Sequence, residues 1–219
     1  MIFKMFKKII YILLLIIILA PKTYAGVQKA GVKYSGYSFE FKKGDDKIFE
    51  NYALINLRMA EKAQTPDEKL EFINEAMRYY FMLEKMCPNS IEAQIGLGKV
   101  YDEKNLDRYA KEHFFKALNF DKNNPSANLN FANYFYKRKE YIQAIYLYNR
   151  AYNLGYQNNY YLNLRIADIY EKLADLEAAK RFYQNAYNLN PSDPKISEKI
   201  QQLINLNYGG SQYYLFNKK

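Results

Sequence analysis

Six positions recur three times along this 219-residue chain in a single register. Leu97, Gly98, Tyr101, Ala110, Phe114 and Ala117 return 34 residues later as Phe131, Ala132, Phe135, Ala144, Tyr148 and Ala151. After 35 more they return as Ile166, Ala167, Tyr170, Ala179, Tyr183 and Ala186. Leu97 and Tyr101, at i and i+4, share one helical stripe, and Ala110, Phe114 and Ala117, at i, i+4 and i+7, share another. A short break separates the two stripes each time: Lys104-Asn105, Lys139-Glu140, Ala174-Asp175. Two amphipathic helices joined by so short a turn pack antiparallel. One such hairpin cannot cover its own apolar face, so neighbours stack and bury a continuous core. The chain is therefore predicted to be all-α, a solenoid of antiparallel helical hairpins.

The residues in these slots, their period and Pro191 after the third unit resemble the tetratricopeptide repeat. The resemblance implies a right-handed superhelix, closed by a C-terminal capping helix, that binds another protein or a peptide segment and carries no cofactor. In that family the first helix of each hairpin lines the concave groove. Carried over by register, the groove row beside the core stripe is Ile95, Leu129 and Leu164. Next to it run Lys99, Asn133 and Asp168, then Asp102, Tyr136 and Glu171, with Asn130, Arg165, Tyr161 and Lys137 at the edges. Taken singly, each is equally an ordinary solvent-facing helix residue. Some members grip a peptide's terminal carboxylate there. Asn130 and Arg165 match that pattern, but Ile95, Lys99 and Tyr161 stand where lysine, asparagine and lysine belong. A carboxylate clamp is not expected; the mixed face suits an extended or helical segment with side-chain anchors. Tyr136 and Arg165 lie outside the core slots, so truncating them is expected to spare stability.

The rest of the chain divides around the repeats. Well-formed units span roughly 91–124, 125–158 and 159–192. Residues 46–90 form a degenerate first repeat: a helix from about Asp46 to Gln64, then a second from Pro66 to about Met86, where Ala76, Tyr80 and Leu83 keep the register. A capping helix covers 193–208, beginning at Pro194 and ended by Gly209-Gly210, and 209–219 is a tail. Residues 26–45 carry several glycines and alternate Tyr37, Phe39 and Phe41 like a short strand, with no clear strand partner; they read as an extended arm or linker.

Lys4, Lys7 and Lys8, the apolar run Ile9 to Leu19 and the small residues around Ala25 make residues 1–25 a signal peptide. The run is shorter than the roughly 20 apolar residues a span needs. The membrane would be met only transiently, unless the segment stays as an anchor. The expected location is outside the cytoplasm, periplasmic or secreted. Four lysines and no acid precede Gly26, so the formal +9 of the whole chain falls to about +5. The basic residues are interspersed with acids rather than gathered in a stripe, and nucleic acid is not an expected partner.

Chemistry has few places to sit. Cys87 is the only cysteine and His113 the only histidine, the latter in the slot that holds Leu147 and Phe182 in the next repeats. Nucleotide-binding glycine patterns and nucleophile elbows are missing, so no catalytic role is expected. The leading functional reading is an exported protein–protein interaction module, an adaptor or assembly factor of the cell envelope. The alternative is a carbohydrate or cell-wall binder that uses groove tyrosines as stacking platforms.

Overall fold

The computed structural model describes the backbone of residues 32–34, 37–39 and 44–216, with side chains from Gly44 to Asn205. The segment read as a signal peptide lies outside the described residues. Two compact units divide the chain at residue 42. In the first, strand β1 (Val32–Tyr34) pairs antiparallel with β2 (Tyr37–Phe39), Val32 opposite Phe39 and Tyr34 opposite Tyr37. The alternation at Tyr37 and Phe39 thus has a strand partner that the sequence reading did not supply.

The second unit is a run of helices. They are α1 (Asp45–Lys62), α2 (Pro66–Met86), α3 (Ile91–Glu103), α4 (Asp107–Phe120), α5 (Pro125–Lys137), α6 (Tyr141–Ala151), α7 (Tyr160–Lys172), α8 (Leu176–Leu189) and α9 (Pro194–Phe216). They pack as consecutive hairpins, α1 with α2, α3 with α4, α5 with α6 and α7 with α8, and α9 lies on α8. The three later hairpins each open on a side-chain cap in register. Ser90, Asn124 and Asn159 accept from the backbone N–H three residues on, at 3.1, 2.9 and 2.9 Å, satisfying a donor that the first turn leaves without a partner.

The turns inside the hairpins repeat as well. Asn105, Lys139 and Ala174 adopt φ of 56°, 60° and 62°. The N–H of the residue after each donates to the carbonyl five back: Leu106 to Tyr101, Glu140 to Phe135, Asp175 to Tyr170. This is the left-handed helix ending for which glycine is the usual residue, reached here three times without one.

The repeating slots form the core. Leu97, Phe131 and Ile166, the small residues after them that have side chains (Ala132, Ala167), and Ala110, Ala144 and Ala179 are all at most 1% exposed. Gly98 shows why its slot stays small. A Cβ there would lie 2.8 Å from the Phe114 ring. A further buried slot is polar: Gln94, Asn128 and Asn163 are at most 1% exposed. Asn128 donates to the carbonyls of Lys122 and Asn124, and Asn163 to those of Gln157 and Asn159. Each amide staples the start of a first helix to the turn before it.

One expectation fails at the C-terminus. Gly209-Gly210 does not end the last helix, which runs on to Phe216. Glycine inside a helix costs about 1 kcal/mol per residue, a penalty that a helix nucleated several turns earlier can carry.

The left-handed turn residues give a direct test of this geometry. An L-residue in that conformation costs roughly 1–2 kcal/mol, partly offset in glycine by its freer unfolded chain. Ala174→Gly is expected to raise stability by about 0.5–1 kcal/mol in urea unfolding, whereas a loss would contradict the turn.

Candidate functional site

The residues placed in the groove by register fall on α3, α5 and α7, and the structure separates them into two groups. Those near the C-terminal ends of these helices are tied together across repeats. The Lys137 ammonium of α5 reaches Asp102 and Glu103 of α3, both at 2.9 Å. Arg138 takes the other Asp102 oxygen at 2.7 Å and also bonds Asp107 at the head of α4. Lys69 of α2 closes on Glu103 at 2.8 Å. One repeat on, the Tyr136 hydroxyl donates to Asp168 of α7 at 2.5 Å, and Lys172 takes the second Asp168 oxygen at 2.6 Å. The Arg165 guanidinium lies 4.4 Å over the Tyr136 ring. Glu171 then receives Lys199 of α9 at 2.6 Å. The ties thus run from α2 through α3, α5 and α7 to α9.

The core slots contribute to this brace. Tyr148 donates its hydroxyl to Asn133 at 2.6 Å, and Tyr183 donates to Glu171 at 2.9 Å. Sequence reasoning assigned both rings to packing and missed the hydroxyl. The readable signal is that the slot changes from Phe114 to tyrosine in the two later repeats. Lys172, which it also missed, occupies the same slot as Lys137.

Electrostatics follow from these contacts. Burial works against the charged form of Glu103, yet its bonds to Lys69 and Lys137 outweigh that and hold its carboxyl below the usual range. Burial likewise opposes the Lys137 ammonium, but Asp102 and Glu103 keep it above the ordinary lysine value. Burial first, and the bond to Asp168 second, push the Tyr136 phenol up. Lys99 behaves in the opposite way: desolvation lowers its ammonium, with the Glu61 carboxylate of α1 opposing.

Two expectations need correcting. Ile95 does not face a groove; it is 8% exposed and packs with Ala117 and Ala127. The next hairpin covers it, because α5 lies across both helices of the preceding one. Tyr136 is not free of structural duty either. It is half-buried, bonded to Asp168 and edge-on to Tyr141 and Tyr148, so its truncation removes packing as well as surface.

The second group is open. Leu129 and Leu164 are half-buried against the core, and Asn130 donates only along its own helix, to the Ser126 carbonyl at 2.7 Å. Tyr161, one turn before Leu164 and Arg165, is 75% exposed.

His113 sits away from this face, in the packing role its slot implies. It is buried, stacked on Tyr101, and its Nδ1 lies 2.8 Å from Gln94 Oε1. The Gln94 amide nitrogen donates to Glu84 at 2.8 Å, which leaves its oxygen toward the ring. An amide oxygen only accepts, so His113 carries its proton on Nδ1. Among the described residues no group of three or more histidine, cysteine or acidic side chains could hold a metal ion.

Solved structures resemble the array. A structure from work on Pseudomonas aeruginosa pilF superposes with a TM-score of 0.62 at 19% identity, over 78% of this chain and 73% of that one. MamA from Desulfovibrio magneticus RS-1 gives 0.58 at 18% identity, over 80% and 93%. Another MamA structure gives 0.53 at 20% identity, over 75% and 88%. Both proteins are built of tetratricopeptide repeats. The chain has the tetratricopeptide-repeat fold. No protein-family model matches the sequence, and no curated protein does.

Within this tetratricopeptide array, burial of His113 is expected to make stability sensitive to acid. Desolvation is the largest influence and lowers its pKa from the ordinary 6.5, with Lys116 adding to it. The folded state therefore favours the neutral ring. Its contribution is complete above the unfolded pKa and is lost as pH falls from about 6.5 toward the lower folded value. The melting temperature should drop as pH falls from 7 to 5, and His113→Gln, which can keep the bond to Gln94, should remove that part of the drop. An identical pH profile in the variant would refute this assignment.

Proposed function

We propose that the protein is an exported protein–protein interaction module, an adaptor or assembly factor of the cell envelope. It binds a segment of its partner along the concave face of its first helices. Support for export comes from the lysines, apolar run and small residues of 1–25. Support for a binding array comes from the fold shared with pilF and MamA structures.

One observation carries the choice of surface. The C-terminal halves of the first helices are spent on the inter-repeat brace, while Tyr161, at 75%, is the most exposed of the large apolar side chains described. With half-buried Leu129 and Leu164 in matching slots of adjacent repeats, it offers shallow apolar anchor points that need no rearrangement of the brace. An extended or helical peptide with apolar side chains at intervals fits such a row. The carbohydrate reading loses ground on the same face. A sugar platform is built from several open rings, and of the two groove tyrosines only Tyr161 is open, since the Tyr136 ring already carries the Arg165 guanidinium.

The test is recovery of the partner from envelope extracts by tagged variants. Tyr161→Ala should weaken recovery by about 2 kcal/mol or more, as an interface anchor does, with helicity and melting temperature unchanged. Lys180→Ala, on a second helix, should have no effect. Silence of Tyr161→Ala alongside loss with Lys180→Ala would move the site to the other face.

A further inference from the structure

The two ends of the repeat array are finished differently. At the C-terminal end α9 lays Ile196 and Leu203 into the core and turns Ser197, Glu198, Gln201, Gln202 and Asn205 outward. Over its described side chains, 194–205, that outer face is polar. At the other end α1 buries Ala53 and Ala60 but leaves Ile48, Tyr52 and Ile55 at 50%, 46% and 52% exposure. Spaced i, i+4 and i+7, these three form one stripe along the helix.

The stripe corresponds to a packing face used elsewhere in the array. On α3, Ala93 and Gly96 stand ten and seven residues before the last helical residue, Glu103. Ala93 joins the core cluster of the preceding hairpin, and Gly96 lies so close to Tyr80 of α2 that a Cβ would sit 2.2 Å from its ring. Tyr52 and Ile55 stand ten and seven residues before Lys62, the last residue of α1. Tyr52 thus holds the slot of Ala93 and Ile55 that of Gly96, through which α3 joins the hairpin before it, and α1 has no such hairpin among the described residues.

We propose that a second copy of this chain covers this open joint, α1 lying antiparallel against α1 about a twofold axis near Tyr52. Two observations select that occupant. Among the described side chains of α9 the outward ones are polar and give the stripe nothing apolar to meet in head-to-tail stacking, whereas a twofold pairing uses the same stripe twice and closes. The charges of α1 also divide along its length. Asp45, Asp46 and Glu50, with Lys47, make its first half net acidic, and Arg58 and Lys62, with Glu61, make its second half net basic. Antiparallel alignment sets the acidic half of each copy beside the basic half of the other and opposes the two helix dipoles. A single helix of this length is roughly 27 Å long. The contact is therefore at the small end of specific interfaces, and the dimer exchanges with monomer in the micromolar range.

Sedimentation equilibrium of the protein as its cells make it, across that concentration range, tests the proposal. The expected result is a monomer–dimer equilibrium. Ile55→Glu, which would bury a carboxylate at the joint, should weaken it about tenfold or more. Its circular dichroism and melting temperature should stay unchanged, because Ile55 is half exposed in one copy. Tyr52→Cys in a Cys87→Ser background should form a disulfide between copies under mild oxidation, as expected of a residue beside the axis. A protein that stays monomeric throughout, whether the stripe is bare or covered by another segment, would overturn the proposal. So would a dimer indifferent to Ile55→Glu and unable to crosslink through Tyr52→Cys.

Discussion

Close approach of an aromatic ring to a backbone without a side chain sets the geometry of this array. On α3 the Tyr80 ring fills the space where a Gly96 Cβ would be, and the Phe114 ring presses on Gly98. One contact is to the preceding hairpin and the other is within the same hairpin. A helix held this way on two sides cannot slide or rotate by a residue without driving a ring into backbone, because packed interiors leave no room to absorb the shift. In later repeats alanine takes the Gly98 slot and tyrosine takes the Phe114 slot, so the relation of ring to small residue persists while the residues change.

That relation explains what could be read in advance. Ring and small-residue slots recur at fixed spacing because the two helices of each hairpin meet in the same way, so hairpin, stacking and even the bounds of Pro66–Met86 follow from the sequence. The buried Gln94, Asn128 and Asn163 slot escaped notice because its residues are polar, and burial of polar groups leaves no apolar periodicity to detect. Ile95 was misplaced for a related reason: its stripe position fits a groove equally well until the next hairpin is laid across it. The left-handed turns at Asn105, Lys139 and Ala174 lacked the glycine that would have announced them. Gly209-Gly210 sent the opposite false signal, since glycine marks a helix end only where nothing else sustains the helix.

The first helices divide along their length. Their C-terminal ends join the repeats through carboxylates, ammonium groups and tyrosine hydroxyls. Individual exposed ion pairs contribute little, but here they share partners, and the core tyrosine Tyr183 bonds the paired Glu171 carboxylate from below. The N-terminal halves carry Leu129, Asn130, Tyr161 and Leu164, which make no bonds across repeats. A rigid frame beside an uncommitted apolar row is an arrangement that binds with little loss of conformational freedom. Of the register-derived groove positions, Leu129, Leu164 and Tyr161 are the apolar ones that the proposed binding row uses, and the braced ones tie the repeats beside them.

A photo-crosslinking residue placed at position 161 in living cells, followed by mass spectrometry of the adducts, tests the central claim most directly. The account predicts an adduct to one envelope protein from position 161 and none from position 180. Adducts from position 180 alone, or capture of a cytoplasmic protein at position 161, would contradict it.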